Sequence, residues 1–308
     1  MKKLIAVIIL LILFCGCAKE DITMPTAAME QENAAAPFAA ASFFSASAAP
    51  SEITPSPSST PLITPSPSLS PSPTSFITPP PSPKGTIGVY YAGSGENARY
   101  LVAIDAGHQQ KGIKETEPNG PGSSVQKAKL SSGTAGKVTR VPEYQLNLTV
   151  SLALRDELLE RGYSVYMIRI TNDAPVSNKE RAEMANAVGA DIFLRIHANG
   201  SEDPSVRGAM MVCQSSANPY TQQYESSRRL SEMILQGYCQ ETQIPQKKGS
   251  AIWETDTMTG INWCKVPSST LEMGYMSNSE DDLAMAEDGF ALAAARGIAD
   301  GVDAYFGN

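Results

Sequence analysis

The 308-residue chain contains only two histidines, His108 and His197. His108 ends the apolar stretch 101–108, and His197 lies in the apolar stretch 192–199, so each is predicted to stand at the end of a buried strand. Open α/β sheets carry their sites at the carboxyl ends of strands, and neutral imidazole is the commonest metal ligand. The two histidines therefore indicate a metal site, and the alternative is a pair of hydrogen-bonded core histidines.

Glu143 is the candidate third ligand, because a catalytic zinc site uses three protein ligands and leaves a fourth position for water. It opens a predicted helix over 143–161 and lies on the same face as the apolar stripe of that helix, which consists of Leu146, Val150, Leu154 and Leu158. A carboxylate at the head of a buried stripe points towards the end of the sheet. The alternative is a simple N-terminal charge that the helix dipole favours.

Glu272 is the candidate general base for a site that activates water. It interrupts an apolar strand near its end, where an unpaired carboxylate would be costly. Burial beside a cation is one way in which a carboxylate is tuned for proton transfer. The alternative is a strand glutamate that faces solvent.

Strand and helix patterns alternate along the C-terminal two thirds of the chain. This alternation predicts an α/β fold, a three-layer sandwich with a mostly parallel (mixed) central sheet and helices on both faces. Strands are expected over 100–105, 163–169, 191–197, 208–214 and 268–274, and helices over 143–161, 177–188, about 219–241 and 286–306. In the second helix Ser177 and Glu180 have capping-box spacing. The Gly-, Ser- and Lys-rich segment 109–142 breaks this rhythm, and its role stays open.

The N-terminal residues resemble the signal of a bacterial lipoprotein. Met1-Lys2-Lys3 and the apolar run 4–14 have the character of a secretory signal that is too short to span a bilayer. The run ends at Phe14-Cys-Gly-Cys17, which is similar to a lipobox, and in that family the matching Cys17 carries the lipid. The alternative is an ordinary cleaved signal with an incidental cysteine.

Residues 18–96 form a predicted disordered linker, because Ala, Pro, Ser and Thr offer little apolar surface to bury. Residues 50–84 alternate Pro with Ser and Thr, and as polyproline they would reach roughly 110 Å. We therefore divide the chain into a signal peptide at 1–17, a linker at 18–96 and a catalytic domain at 97–308. The expected location is outside the cytoplasm, lipid-anchored to the bacterial membrane and facing the cell wall.

Five motifs of the C-terminal domain, in order, resemble the zinc-dependent N-acetylmuramoyl-L-alanine amidases. They are Asp105-Ala-Gly-His108, Glu143 with Leu146-Asn147, Arg181-Ala-Glu-Met-Ala-Asn186, Ile196-His-Ala-Asn199 and Leu271-Glu-Met-Gly-Tyr-Met-Ser-Asn278. The resemblance implies that His108, Glu143 and His197 bind Zn²⁺ and that Glu272 is the general base. It also implies a peptidoglycan hydrolase that cleaves the amide between N-acetylmuramic acid and the L-alanine of the stem peptide.

Five further residues are candidates for binding substrate or orienting a ligand. Asp105 could orient a ligand or make a cap or turn contact, and Arg195, on the strand face of His197, could clamp substrate or form a structural ion pair. Asn199 could shape a turn or donate to substrate. Asp256 and Asn262 lie in a predicted loop between Trp253 and Trp263 that would line the edge of the site, although either tryptophan could equally anchor the core.

The net charge and the cysteines bear on which partners, metal ligands and disulfides the protein can have. The net charge of −8 argues against nucleic acid as a partner. Cys213, Cys239 and Cys264 fit no zinc spacing, and one disulfide among them with a spare thiol is possible outside the cell. We expect a monomer. Two other functions stay open, a zinc carboxypeptidase-like peptidase and a non-catalytic module that binds stem peptides.

Overall fold

The structure is a computed structural model, and it describes residues 85–308. The predicted signal peptide, Cys17 and most of the predicted linker lie outside the described residues. No helix within 85–308 combines the length and the apolar character that a membrane span requires.

Within residues 85–308, nine strands form two sheets. They are β1 (Ile87–Tyr91), β2 (Leu101–Ala106), β3 (Ile113–Pro118), β4 (Gln126–Leu130), β5 (Ser164–Arg169), β6 (Ile192–Asn199), β7 (Met210–Gln214), β8 (Ile252–Thr255) and β9 (Ser268–Tyr275). Seven of them form the main sheet in the order β1-β5-β2-β6-β9-β7-β8, and β3 and β4 form a separate hairpin. The four central strands β5, β2, β6 and β9 are parallel, whereas β1 and β7 are antiparallel to their central neighbours. The sheet is therefore mixed, and β2, β6 and β9 end at the same edge.

Helices cover both faces of this sheet. They are α1 (Glu143–Glu160), α2 (Asn178–Ala187), α3 (Tyr224–Thr242), α4 (Thr259–Asn262), α5 (Ser279–Met285) and α6 (Phe290–Phe306), with a short 3-10 helix at Glu96–Arg99. One core lies between the sheet and α1, α3 and α6, and it includes Ile104, Leu154, Leu194 and Ile298. A second core, which includes Tyr166, Ala182 and Phe193, lies under α2. The predicted three-layer α/β sandwich is thus confirmed.

Most predicted elements are present, with shifts of a few residues at their ends. The capping box of α2 forms between Ser177 and Glu180. The helix expected over 219–241 begins only at Tyr224. The helix expected over 286–306 begins only at Phe290, directly after Gly289 in a left-handed conformation with φ 89°, and a separate helix, α5, precedes it.

The differences concern strands with weak apolar patterns. Strand β1 lies in the range assigned to the linker, so the folded domain already includes Ile87 and the boundary at residue 97 lies too late. This edge strand has only one buried residue, a glycine, which gives no alternating signal. The hairpin β3–β4 within 109–142 is mostly exposed and polar, so it too gives no alternating apolar signal from which strands could be predicted.

Candidate metal centre

Three side chains converge at the edge of the sheet where β2 and β6 end. His108 follows β2, His197 lies near the end of β6, and Glu143 is the first residue of α1. One potential ligand atom from each lies within 4.8 Å of those of the other two. Glu143 Oε1 is 3.1 Å from His108 Nε2 and 3.3 Å from His197 Nδ1. Two imidazole nitrogens and one carboxylate oxygen are thus aimed at a common point, as a metal ion requires.

Glu143 is held by hydrogen bonds on both of its oxygens. Its Oε1 accepts from the backbone N–H of Ala198 and from Asn147 Nδ2, each at 3.2 Å. Its Oε2 accepts from the N–H of Thr134 at 2.9 Å. Burial by itself would raise the pKa of Glu143, but the charge of His108 and the hydrogen bonds of both imidazoles outweigh it and hold the pKa well below its usual range. The carboxylate is therefore ionised and ready to bind a cation.

His197 is buried and neutral at physiological pH. Burial lowers its pKa to about 4, and the charges of His108 and Arg195 act in the same direction, against the hydrogen bond of Glu143. Its ring packs against Gly107, where an added Cβ would come within 2.3 Å of Nε2. Nε2 has no hydrogen-bond partner among the described residues, whereas Nδ1 faces Glu143. A neutral ring in this orientation can offer the lone pair of Nδ1 to a metal.

Glu272 lies next to His197 on the same face of the sheet. The two residues are directly paired between the parallel strands β6 and β9. Burial raises the pKa of Glu272 well above its ordinary value, the charge of Glu143 adds to this effect, and Arg195 opposes it. The carboxyl group therefore holds a proton readily in this position, which suits a group that would accept a proton and return it.

A buried ion-pair network lies on the same face, one step further from the edge. Asp105 accepts from Arg181 Nη1 at 2.6 Å and from Arg195 Nε at 3.0 Å, and all three side chains are almost fully buried. Burial would raise the pKa of Asp105, but the two guanidinium groups hold it well below its usual range. Arg195 was predicted either to clamp substrate or to form a structural ion pair, and the structure contains the ion pair, with Asp105.

Two buried arginines also fix the backbone that leads into His108. Arg169 donates to the carbonyl oxygens of Ala106 at 2.7 Å and of Gly107 at 3.0 Å. Arg181 donates to those of Ala106 at 2.9 Å and of His108 at 3.1 Å. His108 itself has φ 58°, in the left-handed region that a non-glycine residue adopts only when its surroundings require it. The hydrogen bonds from the two arginines hold the backbone of residues 106–108 in this conformation.

Comparison with known proteins identifies the family to which the chain belongs. The family model of N-acetylmuramoyl-L-alanine amidase matches residues 102–304. The chain belongs to this family. It is 30% identical over 164 residues to the uncharacterized protein YqiI of Bacillus subtilis (strain 168), which covers 53% of this chain and 74% of that protein. It is also 27% identical over 166 residues to the N-acetylmuramoyl-L-alanine amidase LytC of the same organism, covering 53% of this chain and 31% of LytC.

Solved structures agree at the level of the fold. The N-acetylmuramyl-L-alanine amidase Ami1 from Mycobacterium smegmatis matches with a TM-score of 0.61 and 26% identity, covering 68% of this chain and 97% of Ami1. The catalytic domain of CwlV, an amidase from Bacillus (Paenibacillus) polymyxa var. colistinus, shares the fold with a TM-score of 0.53, 24% identity and coverage of 68% of this chain and 98% of that domain. This protein is therefore a member of the peptidoglycan amidase family with the α/β fold of its relatives.

Asn262 and Asp256 lie where three loops meet. The buried amide Nδ2 of Asn262 donates to the carbonyl oxygens of Asn119 at 3.0 Å and of Asp256 at 2.7 Å, and its Oδ1 accepts from Asn218 at 2.9 Å. The side chain of Asp256 is exposed. In this structure Asn262 thus ties the tip of the β3–β4 hairpin to the loop after β8, and Asp256 takes part through its backbone.

Asn199 and Trp263 take part in local contacts. Asn199 Oδ1 accepts from the N–H of Gly200 at 2.8 Å, which is the turn contact considered as one alternative. Trp263 donates from Nε1 to Pro118 O at 2.9 Å, and Lys179 Nζ lies 4.2 Å from the centre of its ring. Both tryptophan contacts attach the hairpin and α2 to the loop that carries α4.

Residues to which the sequence analysis gave no role surround the ligands. Asn147 donates from Nδ2 to Gly107 O and to Glu143 Oε1, each at 3.2 Å. Its position four residues after Glu143, on the same helix face, is a signal that could have identified it. Ser131 and Thr134 contact His108 and Glu143 from a loop, and no periodic pattern marks such positions.

The cysteines are free thiols in the structure. Cys213 and Cys264 are buried and Cys239 is half-buried, and no disulfide joins the three within residues 85–308. Burial raises the pKa of all three thiols to about 11. The disulfide considered from the sequence is therefore not present here.

Proposed function

We propose that this protein hydrolyses the amide bond between N-acetylmuramic acid and L-alanine in peptidoglycan, with a zinc ion bound by His108, Glu143 and His197 and with Glu272 as general base. The observation that carries the proposal is the convergence of the three ligand atoms within 4.8 Å of one another, beside a glutamate on the adjacent strand. Family membership identifies the class of substrate.

The donor set fits zinc. Two histidines and one glutamate are a ligand set of catalytic zinc sites, and an open fourth position is left for water and substrate. When bound, zinc polarises a carbonyl group and lowers the pKa of water towards about 7. The protein contributes an ionised Glu143 and a His197 that stays neutral at physiological pH, because burial lowers its pKa to about 4.

Glu272 would carry the proton through the reaction. An amide nitrogen is a poor leaving group until it is protonated, so the reaction needs a group that takes a proton from water and returns it to nitrogen. The Glu272 carboxylate accepts the proton as water attacks the lactyl carbonyl carbon. It then donates that proton to the nitrogen of L-alanine as the carbon–nitrogen bond breaks, which frees the stem peptide as an amine.

The experiment is an analysis of the products that the purified full chain releases from peptidoglycan. We expect stem peptides with a new N-terminal L-alanine, detected by labelling of free amines and mass spectrometry. Release should stop when a chelator removes the metal and return when zinc is added. Loss of single residues from the C-terminus of the stem peptide would instead indicate a carboxypeptidase. Binding to peptidoglycan without any release would indicate a binding module.

We further propose that Cys17 anchors the protein to the outer side of the cytoplasmic membrane through a lipid, with the chain between Cys17 and β1 as the linker to the catalytic domain. The support is the apolar run 4–14 followed by Gly16 and Cys17. The Cys17→Ala variant should lose a diacylglycerol modification in intact-mass measurements and leave the membrane fraction. Cys15→Ala is the matched control, two residues away, and should keep both properties. Equal behaviour of the two variants would contradict the anchor.

A further inference from the structure

The segment 131–134, which follows β4 and which we call the strap, lies against two of the three candidate metal ligands. We propose that the strap is a positioning element that orients His108 and Glu143 for metal binding. This gives a role to part of the long segment 109–142, which the sequence left open. The inference rests on the proposed function, since it assumes that the site binds zinc.

At His108 the strap provides a hydrogen-bond partner for the ring nitrogen that faces away from Glu143. The carbonyl oxygen of Ser131 lies 2.9 Å from His108 Nδ1, and the hydroxyl of the same residue lies 3.0 Å from it. A carbonyl oxygen can only accept a hydrogen bond, so a bond between Nδ1 and Ser131 O uses a proton on Nδ1. With the proton on Nδ1, Nε2, which faces Glu143 at 3.1 Å, would be the nitrogen that binds zinc. An outer partner of this kind fixes both the tautomer and the ring orientation of a metal-binding histidine.

At Glu143 the strap forms a reciprocal pair of hydrogen bonds. The N–H of Thr134 donates to Glu143 Oε2 at 2.9 Å, and the N–H of Glu143 donates to the carbonyl oxygen of Thr134 at the same distance. The first bond occupies Oε2 and leaves Oε1 directed at the two histidines. The second satisfies a backbone N–H at the start of α1, where no side chain caps the helix. The strap thus fixes both the backbone and the carboxylate of this ligand.

Gly133 allows this close approach. It has φ 82°, and a Cβ at this position would lie 2.6 Å from Glu143 Oε2 and 2.9 Å from His108 Cδ2. Any side chain would therefore push against both ligands at once, besides the strain of a left-handed backbone. No other residue type fits between them without moving the strap or the ligands.

The chain that follows the strap is itself anchored. Asp282 is buried and accepts from the N–H groups of Val138 at 2.6 Å and Thr139 at 3.0 Å. The N–H of Lys137 donates to Met276 O at 2.9 Å. The strap therefore lies between an anchored segment on one side and the β3–β4 hairpin on the other, which suits a part that must hold ligands in place.

The first test measures zinc affinity of the full chain by competition with a chromophoric chelator. Gly133→Ala should weaken zinc binding by about 10–100-fold, the usual effect of disturbing an outer partner of a metal ligand. Gly122→Ala is the matched control, since Gly122 also has a positive φ, 76°, but nothing lies within 4 Å of its Cβ. Equal affinities of the two variants would overturn the role of the strap while leaving the proposed function intact. A wild-type chain that binds no zinc would overturn both.

The second test needs no variant and so does not depend on how a variant folds. The ¹⁵N shifts of ring nitrogens distinguish the two tautomers, and a chain with only two histidines gives a spectrum that is simple to assign. In the zinc-loaded protein we expect His108 to bind the metal through Nε2 and to carry its proton on Nδ1, where Ser131 O accepts it. Coordination of zinc through Nδ1, with the proton on Nε2, would overturn the inference.

Discussion

His197 and Glu272 are paired residues on the neighbouring parallel strands β6 and β9, and their side chains lie side by side on one face of the sheet. The pairing unites a candidate metal ligand with the candidate base, although the two residues are far apart in the sequence. Each strand ends at the edge where His108 and Glu143 also lie. The register between these two strands therefore determines how far the candidate base lies from the candidate metal ligand.

Glu143→Gln should strongly reduce zinc affinity. The amide keeps the shape of the side chain but loses the charge, and it turns an NH₂ group towards N–H donors that now have no acceptor. We expect a loss larger than the about 10–100-fold that is typical of outer partners of a ligand, measured by chelator competition. Glu160→Gln, an exposed position at the other end of α1, is the control. Unchanged affinity in Glu143→Gln would exclude this residue as a ligand.

Asp105→Asn should destabilise the fold by about 3–5 kcal/mol, because it leaves Arg181 and Arg195 as buried charges without their partner. Asp300→Asn removes a carboxylate from an arginine too, but Asp300 is 46% exposed, and such pairs contribute about 0–1 kcal/mol. Urea titrations of both variants give the free energies of unfolding. Similar small losses would show that the buried network does not stabilise the region behind the metal centre.

The metal-free protein should lose stability as the pH falls from about 6.5 to about 4. His197 has a pKa of about 4 in the folded protein, against the ordinary 6.5, because burial disfavours its charged form. Between these values the unfolded chain binds more protons than the folded one, so the free energy of unfolding decreases with decreasing pH. The contribution of His197 is up to about 3 kcal/mol.

Urea titrations over this pH range test that prediction. The His197→Gln variant has no imidazole to protonate at this position, and its stability should fall less steeply than that of the wild type. If both proteins show the same slope, His197 is not the group that titrates, and its assignment as a neutral, buried ligand is wrong.

The sequence was sufficient to predict the fold and the centre of the site, because both depend on patterns with a fixed period. Alternating apolar segments identified β2, β6 and β9, and the helical stripe placed Glu143 at the head of α1. Residues at the ends of parallel strands meet at one edge, so the convergence of His108, Glu143 and His197 followed from topology. That these residues bind zinc and that Glu272 acts as base stay predictions.

The surroundings of the ligands could not be predicted, since they depend on loop geometry. Nothing in the residue types around Ser131 and Thr134 indicates that their backbone groups reach His108 and Glu143. The β3–β4 hairpin has no apolar alternation. Similarly, Asp105 and Arg195 each had several open roles, and only the three-dimensional packing shows that they bind each other.

The most direct test of the central claim combines two measurements on Glu272→Gln, zinc content and release of stem peptides from peptidoglycan. Glu272 is the proposed general base and is not one of the three proposed ligands, so the variant should keep one zinc per chain. Its release of peptides with a new N-terminal L-alanine should fall by at least about 100-fold, the lower range for loss of a general base. Wild-type release by a variant that retains zinc would contradict the account, because the proton would then be carried by another group.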